Sequence, residues 1–210
     1  MNIIQSIKGV LHLEFRNRTE LTLSMCRIQE FFESTHEHIR GKVFTLEAFL
    51  ATYYAPGHDI DYLAYWEGFN VPAASLNDFF NRYGDNITLR ESVIKHAWKS
   101  GEFKYLIAVE ENGAQDVIDH ELAHARYALD EGYRMVCNKI IASMHNDHHA
   151  MYCKALKNLL DAGYPDDGDI MYDELHAYLR TSTESELTET FPDIPLSELQ
   201  PYIDRLRAIQ

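Results

Sequence analysis

The sequence predicts an α+β protein with a small mixed sheet in its N-terminal half and a mainly helical C-terminal half. Two stretches typical of strands occur before residue 112, at 9–15 and 104–110, whereas apolar residues recur at helical spacing through most of the chain after it. The 210 residues, 46% of them apolar, suffice for one sizeable domain. We therefore expect a single domain over 1–210, with sheet and helices in 1–112 and a helical part in 113–210.

Local patterns define the elements of the N-terminal half. Residues 9–15 alternate apolar and polar side chains, as a half-buried strand does, and apolar residues at helical spacing predict a helix at 21–34. Thr88 and Glu91 have the spacing of a capping box and mark the start of another helix. The remaining expected elements are helices at 45–54, 73–83 and 88–100 and the best strand of the chain at 104–110.

An aromatic loop is expected at 55–72, because the segment holds prolines, glycines and four aromatic residues close together. Long loops inside compact domains are often functional. Trp66 or Phe69 could line a substrate pocket, with Gly68 as a hinge. The alternative, that these aromatic residues belong to the core, stays open.

The C-terminal half is predicted to be a succession of helices. The first spans about 115–129, where apolar residues recur with helical period and no proline or glycine interrupts them. An acidic, proline-bounded loop precedes the last helix. The further helices are expected at 132–144, 146–162, 168–181 and 196–208.

Charge and cysteine content restrict the class of protein. The formal net charge of −14 argues against nucleic acid or an anionic membrane as the main partner, because both require basic surfaces. Three cysteines without a CxxC pair give neither a disulfide framework nor a cysteine-rich zinc site. With no signal peptide pattern and no apolar run of membrane-spanning length, we expect a cytoplasmic protein.

Residues 120–124, His-Glu-Leu-Ala-His, carry the strongest chemical signal. On a helix, positions i and i+4 lie one turn apart on the same face, so His120 and His124 can both reach one metal ion. Glu121 is rotated by about 100° and can reach a water on that metal, where it would act as general base. The alternative is a pair of surface histidines with ordinary salt links.

A catalytic zinc site needs a third protein ligand. Glu174 is the best candidate, since it lies on a predicted helix beside the small residue Ala177, which would allow close packing against the motif helix. Other candidates remain open, namely Glu131 and the histidines His145, His148 and His149.

The motif and the downstream helical glutamate resemble the gluzincin group of zinc metallopeptidases over about residues 104–180. The resemblance implies His120, His124 and Glu174 as zinc ligands, Glu121 as catalytic base and a zincin-like active-site helix. It also implies that the strand at 104–110 is an edge strand able to pair with an extended peptide. The gap to Glu174 is longer than in the thermolysin type, and Tyr127 stands where metzincins have glycine.

The expected chemistry is hydrolysis of a peptide or amide bond by water that a Zn²⁺ ion activates. A second electrophile normally shares the developing oxyanion. Tyr178 is our candidate, and His176, Tyr133 and Arg134 are alternatives. A different class of function also fits the same residues: a metal-binding protein without proteolysis, or a non-haem iron enzyme with two His and one carboxylate.

Overall fold

A computed structural model of the protein describes residues 1–4, 7–53 and 62–209. In this part of the chain four strands form one sheet in the order β1-β2-β4-β3. Strands β2 and β4 are parallel, and the two outer pairs are antiparallel. The predicted α+β class with a small mixed sheet in the N-terminal half is therefore confirmed. The strands are β1 (Asn2–Ile4), β2 (Val10–Phe15), β3 (Gly68–Pro72) and β4 (Tyr105–Glu110).

Helices account for most of the remaining described residues. Side chains cap the starts of several helices: Asn17 accepts from the Glu20 N–H, and Thr88 and Glu91 make the reciprocal capping box that the sequence predicts. The helices are α1 (Arg18–Glu33), α2 (Leu46–Tyr53), α3 (Tyr62–Tyr65), α4 (Ala73–Tyr83), α5 (Leu89–Lys99), α6 (Gln115–Leu129), α7 (Glu131–Asp147), α8 (His149–Asp161), α9 (Gly168–Thr181), α10 (Glu184–Thr190) and α11 (Leu196–Arg207).

The chain divides into two compact units, Met1–Ile118 and Asp119–Gln210. In the first unit, helices α1, α4 and α5 supply apolar side chains that pack with one face of the sheet. Alternate residues of the paired strands, such as Leu11, Leu106 and Val71, supply the sheet side of that core. A slip by one residue would replace these side chains in the core by those of the opposite face, among them His12 and Asn70.

The second unit is a helical bundle. Helix α9 packs against α7, α8 and α11, and its residues Met171, Leu175 and Leu179 are buried in the shared core. These positions recur every four residues and form one apolar stripe. The packing fixes the rotation of α9 about its axis and thereby the direction in which its polar side chains point.

Two expectations about the first unit are wrong. Strand β4 is a central strand with hydrogen-bonded neighbours on both sides, so it is not the edge strand that the resemblance implied. The described part of the aromatic loop is helix α3 followed by strand β3, and Phe69 is 2% exposed in the core, with Trp66 packed against it. Gly68 pairs with Val109 in the sheet, a position unsuited to a hinge. Residues 55–61 of that segment lie outside the described residues.

Within the described ranges, no helix is both long enough and apolar enough to cross a bilayer.

Candidate metal centre

Helix α6 places the two motif histidines side by side. Their imidazole rings are 4.7 Å apart between centroids, and the two Nε2 atoms approach to 3.1 Å. This geometry follows from the spacing of four residues, since each helical turn advances by 3.6. The His120 side chain is 17% exposed and that of His124 only 1% exposed. The pair therefore has one solvent-facing ring and one buried ring.

Helix α9 brings Glu174 to the same point. Its Oε1 lies 3.6 Å from His124 Nε2, and its Oε2 lies 3.8 Å from His120 Nε2. Ligand atoms about 2.05 Å from a tetrahedral zinc ion are separated by about 3.3 Å, so the three distances require shifts of only a few tenths of an ångström. In the described part of the chain, no other three His, Cys, Asp or Glu side chains bring their ligand atoms together in this way.

The carboxylate of Glu174 supports this interpretation. The residue is only 5% exposed, and its Oε2 has no hydrogen-bond partner among the described residues. A buried carboxylate oxygen without a partner is unfavourable by itself, because it has lost its water without a replacement. A cation between Glu174 and the two Nε2 atoms would supply the missing interaction. The residues present therefore fit a metal ion.

The Nδ1 atoms of both histidines, on the opposite side of each ring from Nε2, also lie close to oxygen atoms. His124 Nδ1 lies 2.9 Å from Asp173 Oδ1, and His120 Nδ1 lies 3.4 Å from Thr181 Oγ1. The Thr181 hydroxyl donates to the Ala177 carbonyl at 2.7 Å, so its oxygen lone pairs can accept from the His120 ring. Contacts of this kind fix the tautomer with hydrogen on Nδ1 and leave the Nε2 lone pair for a metal.

Neither Asp173 nor Thr181 was identified from the sequence as a partner of the histidines, although the spacing of Thr181 from Glu174 gives a signal. Thr181 is seven residues after Glu174, and residues seven apart share one face of a helix. Asp173 immediately precedes Glu174 and is therefore rotated from it by about 100°. Its contact with His124 depends on how α9 packs against α6, which no local pattern encodes.

Acidic neighbours control the charge of the buried ring. Burial alone would lower the pKa of His124, but the carboxylates of Asp173 and Glu174, with Glu121, raise it well above the usual value. Burial raises the pKa of Asp173, yet the adjacent His124 and His176 bring it below its usual range. The pocket therefore stabilises positive charge, whether that charge is a proton or a metal cation.

The two residues predicted to be catalytic lie close to this cluster. Glu121 follows His120 on α6 and is 5% exposed. The rings of Tyr178 and His120 pack edge to face, with their centroids 4.9 Å apart. The Tyr178 hydroxyl lies 3.0 Å from the Tyr164 hydroxyl. Tyr178 thus presents a phenol beside the more exposed of the two histidine rings.

The alternative electrophiles are placed elsewhere. His176 is fully buried, and its Nε2 lies 2.7 Å from the Tyr133 hydroxyl, so each of these two groups already has a polar partner. The Arg134 guanidinium donates to the Tyr127 and Ala128 carbonyls at the end of α6. Of the candidate electrophiles, Tyr178 is the one whose ring contacts a histidine of the cluster.

The alternative third ligands also lie apart from the cluster. Glu131 is exposed at the first position of α7. His145, His148 and His149 are exposed where α7 meets α8, and His148 Nδ1 is 2.6 Å from the Tyr202 hydroxyl. Among the described residues, the group able to hold a metal contains Glu174 and none of these four.

Comparison of the chain with known protein families, with curated proteins and with solved structures finds no match.

Proposed function

We propose that this protein is a zinc-dependent hydrolase of the gluzincin kind that cleaves a peptide or amide bond. The observation that carries the proposal is the convergence of His120 Nε2, His124 Nε2 and the Glu174 carboxylate on one point. Two imidazoles and one carboxylate are a ligand set of catalytic zinc sites, which keep a further position for water or substrate. Such a zinc ion lowers the pKa of water and polarises a carbonyl group.

The protein residues have separate tasks in this proposal. Glu121 would accept the proton of the attacking water, because it follows a ligand histidine on the same helix without being part of the ligand set. Its side chain is 5% exposed and lies near enough to His124 for its charge to act on that ring.

Tyr178 would donate a hydrogen bond to the oxygen that becomes negatively charged during attack. Its ring contact with His120 places the phenol next to the metal cluster. The Tyr164 hydroxyl, 3.0 Å from that of Tyr178, would hold the phenol oriented before substrate binds. Asp173 and Thr181 would keep the two imidazoles oriented.

Metal analysis and a cleavage assay test the proposal together. Protein purified without added metal is analysed for zinc and iron and then incubated with a mixed peptide library with and without a chelator. We expect one zinc per chain and cleavage that the chelator stops and added zinc restores. Protein that holds iron would favour the non-haem iron alternative, which uses the same ligand set. Protein that binds zinc but cleaves no peptide or amide would contradict the hydrolase assignment and leave a metal-binding role.

A matched pair of variants ties the activity to the site. His124→Asn removes a ligand, whereas His148→Asn changes an exposed histidine that lies outside the cluster. We expect zinc content and cleavage to be lost together in the first variant and kept in the second.

A further inference from the structure

A chain of polar contacts continues from His124 into the core of the second unit. Asp173 Oδ1 lies 2.9 Å from His124 Nδ1 and 3.4 Å from His176 Nδ1, and His176 Nδ1 is also 3.0 Å from the Asp173 carbonyl oxygen. At the other side of the ring, His176 Nε2 lies 2.7 Å from the Tyr133 hydroxyl. Asp173 and His176 thus connect the proposed ligand His124 to the Tyr133 hydroxyl.

The hydrogen-bond donors and acceptors of these four side chains can be assigned in one direction, starting from Tyr133. Burial raises the pKa of Tyr133, so the phenol keeps its proton and can donate it. Its polar neighbours are His176 Nε2 and the Cys137 thiol, and an imidazole nitrogen is the stronger acceptor. A His176 ring that accepts at Nε2 carries its hydrogen on Nδ1, facing the carbonyl and carboxylate oxygens of Asp173. Asp173 Oδ1 also lies 2.9 Å from His124 Nδ1, and a hydrogen on that nitrogen would leave His124 Nε2 facing His120 and Glu174.

The surroundings of Tyr133 and His176 hold this arrangement rigidly. The Tyr133 ring faces the guanidinium groups of Arg126 and Arg180 at 4.1 and 5.4 Å. The Tyr127 ring stacks on His176 with centroids 5.0 Å apart and planes at 21°. A His176 ring with the opposite tautomer would point a nitrogen lone pair at two Asp173 oxygens. That repulsion would move Asp173 away from His124.

We propose that Tyr133 is a positioning residue of the metal centre, which acts through His176 and Asp173 to hold the His124 ring with its Nε2 directed at the metal. The inference rests on the proposed metal site, since it describes how a ligand of that site is oriented. Removing the Tyr133 hydroxyl alone should then weaken metal binding, although no ligand atom is changed.

Zinc affinity of two tyrosine variants tests this role. Tyr133→Phe removes the hydroxyl that bonds His176, and Tyr127→Phe removes a neighbouring hydroxyl that bonds Asn138 at 2.5 Å instead. Both changes conserve ring volume, so both proteins should fold, which circular dichroism verifies. In competition with a zinc chelator we expect Tyr133→Phe to bind zinc about tenfold more weakly than wild type, and Tyr127→Phe to bind within about twofold.

Equal zinc affinity of the two variants would overturn the positioning role while leaving the metal site intact. A wild-type protein that takes up no zinc would instead overturn the proposed function, and this role with it. The two failures are therefore distinguishable.

The histidine tautomers provide a readout that does not depend on metal or activity. Long-range ¹H–¹⁵N correlation spectra of the metal-free protein assign the protonated nitrogen of each ring. We expect His176 to carry hydrogen on Nδ1 in wild type and in both variants, because two Asp173 oxygens face that nitrogen. The ¹⁵N shift of His176 Nε2 should change in Tyr133→Phe alone, because only that variant loses the phenol contact. Hydrogen on Nε2 of His176 in the wild-type protein would contradict the proposal directly.

Discussion

Arg27 and Glu91 form a buried bidentate ion pair in the first unit. Arg27 Nε lies 2.8 Å from Glu91 Oε1, and Arg27 Nη2 lies 2.6 Å from Glu91 Oε2. The side chain of Arg27 is 6% exposed and that of Glu91 is 3% exposed. Arg27 also donates to the carbonyls of Phe44 and Asn86, and Glu91 accepts from the Thr88 N–H. One pair therefore links α1, the start of α5 and the segment before α2.

Replacement of one member of this pair should destabilise the first unit strongly. Glu91→Gln leaves the Arg27 charge buried without its counter-ion, and we expect a loss of about 3–5 kcal/mol in the free energy of unfolding. Urea denaturation followed by tryptophan fluorescence measures it. Asp78→Asn is the matched control, because the Asp78–Arg82 pair is about half exposed and should contribute no more than about 1 kcal/mol. Similar effects of the two changes would contradict this assignment.

Loss of the Glu174 carboxylate should abolish tight metal binding. Glu174→Gln conserves shape but removes the charge, and we expect zinc affinity to fall by more than about 100-fold, beyond the range typical of outer-shell changes. Calorimetric titration with zinc measures the effect. Glu131→Gln, on an exposed glutamate at the start of α7, should leave affinity unchanged. Retained affinity in Glu174→Gln would exclude this residue as a ligand.

Glu121→Gln should separate metal binding from catalysis. The amide cannot accept the proton of the attacking water, so turnover should fall by about 10²–10⁴-fold while zinc content stays at one per chain. Asp119→Asn, an exposed carboxylate on the same helix, is the control and should remain active. Full activity in Glu121→Gln would mean that another group is the base.

Tyr178→Phe should lower kcat more than it raises KM, because its hydroxyl is proposed to bond an oxygen charged only in the transition state. The expected decrease in kcat is about 10²–10³-fold, as for loss of one oxyanion donor. Tyr152→Phe changes a tyrosine whose ring packs on His145 rather than on the metal cluster, and should have normal kinetics. A change confined to KM would assign Tyr178 to substrate binding instead.

The three cysteines should differ sharply in reactivity. Burial raises the pKa of Cys26 to about 12 and that of Cys137 to about 11, whereas Cys153 is exposed. The thiolate is the reactive form, so at pH 8 the two buried thiols are both protonated and inaccessible. We expect iodoacetamide to label Cys153 alone in the native protein and all three after denaturation, as measured by intact mass. Labelling of Cys153→Ser under native conditions would argue against the burial of the other two.

The helices and the paired histidines could be predicted because their signals are local. The capping box of Thr88 and Glu91 and the spacing of His120 and His124 depend only on neighbours within one or two turns. The sequence predicts an acidic loop where helix α10 lies, although Thr183 and Glu186 form a capping box there. Leu187 is the one apolar residue of this helix, and a single apolar residue gives no helical periodicity.

Features that depend on distant parts of the chain could not be predicted in the same way. Strand β3 begins with Gly68 and ends with Pro72, both typical of turns, and it is a strand because β4 supplies the hydrogen bonds. The contact of Asp173 with His124 likewise depends on the packing of α9 against other helices. Glu174 was predicted only as the best of several candidates, for the same reason.

The unequal exposure of His120 and His124 has a consequence for how a metal would leave. Solvent and chelators reach the 17% exposed ring, while the ring that is 1% exposed is shielded. At the proposed metal site, a chelator would therefore approach from the side of His120 rather than from that of His124. The Thr181 hydroxyl, 3.4 Å from His120 Nδ1, restrains the ring on that side.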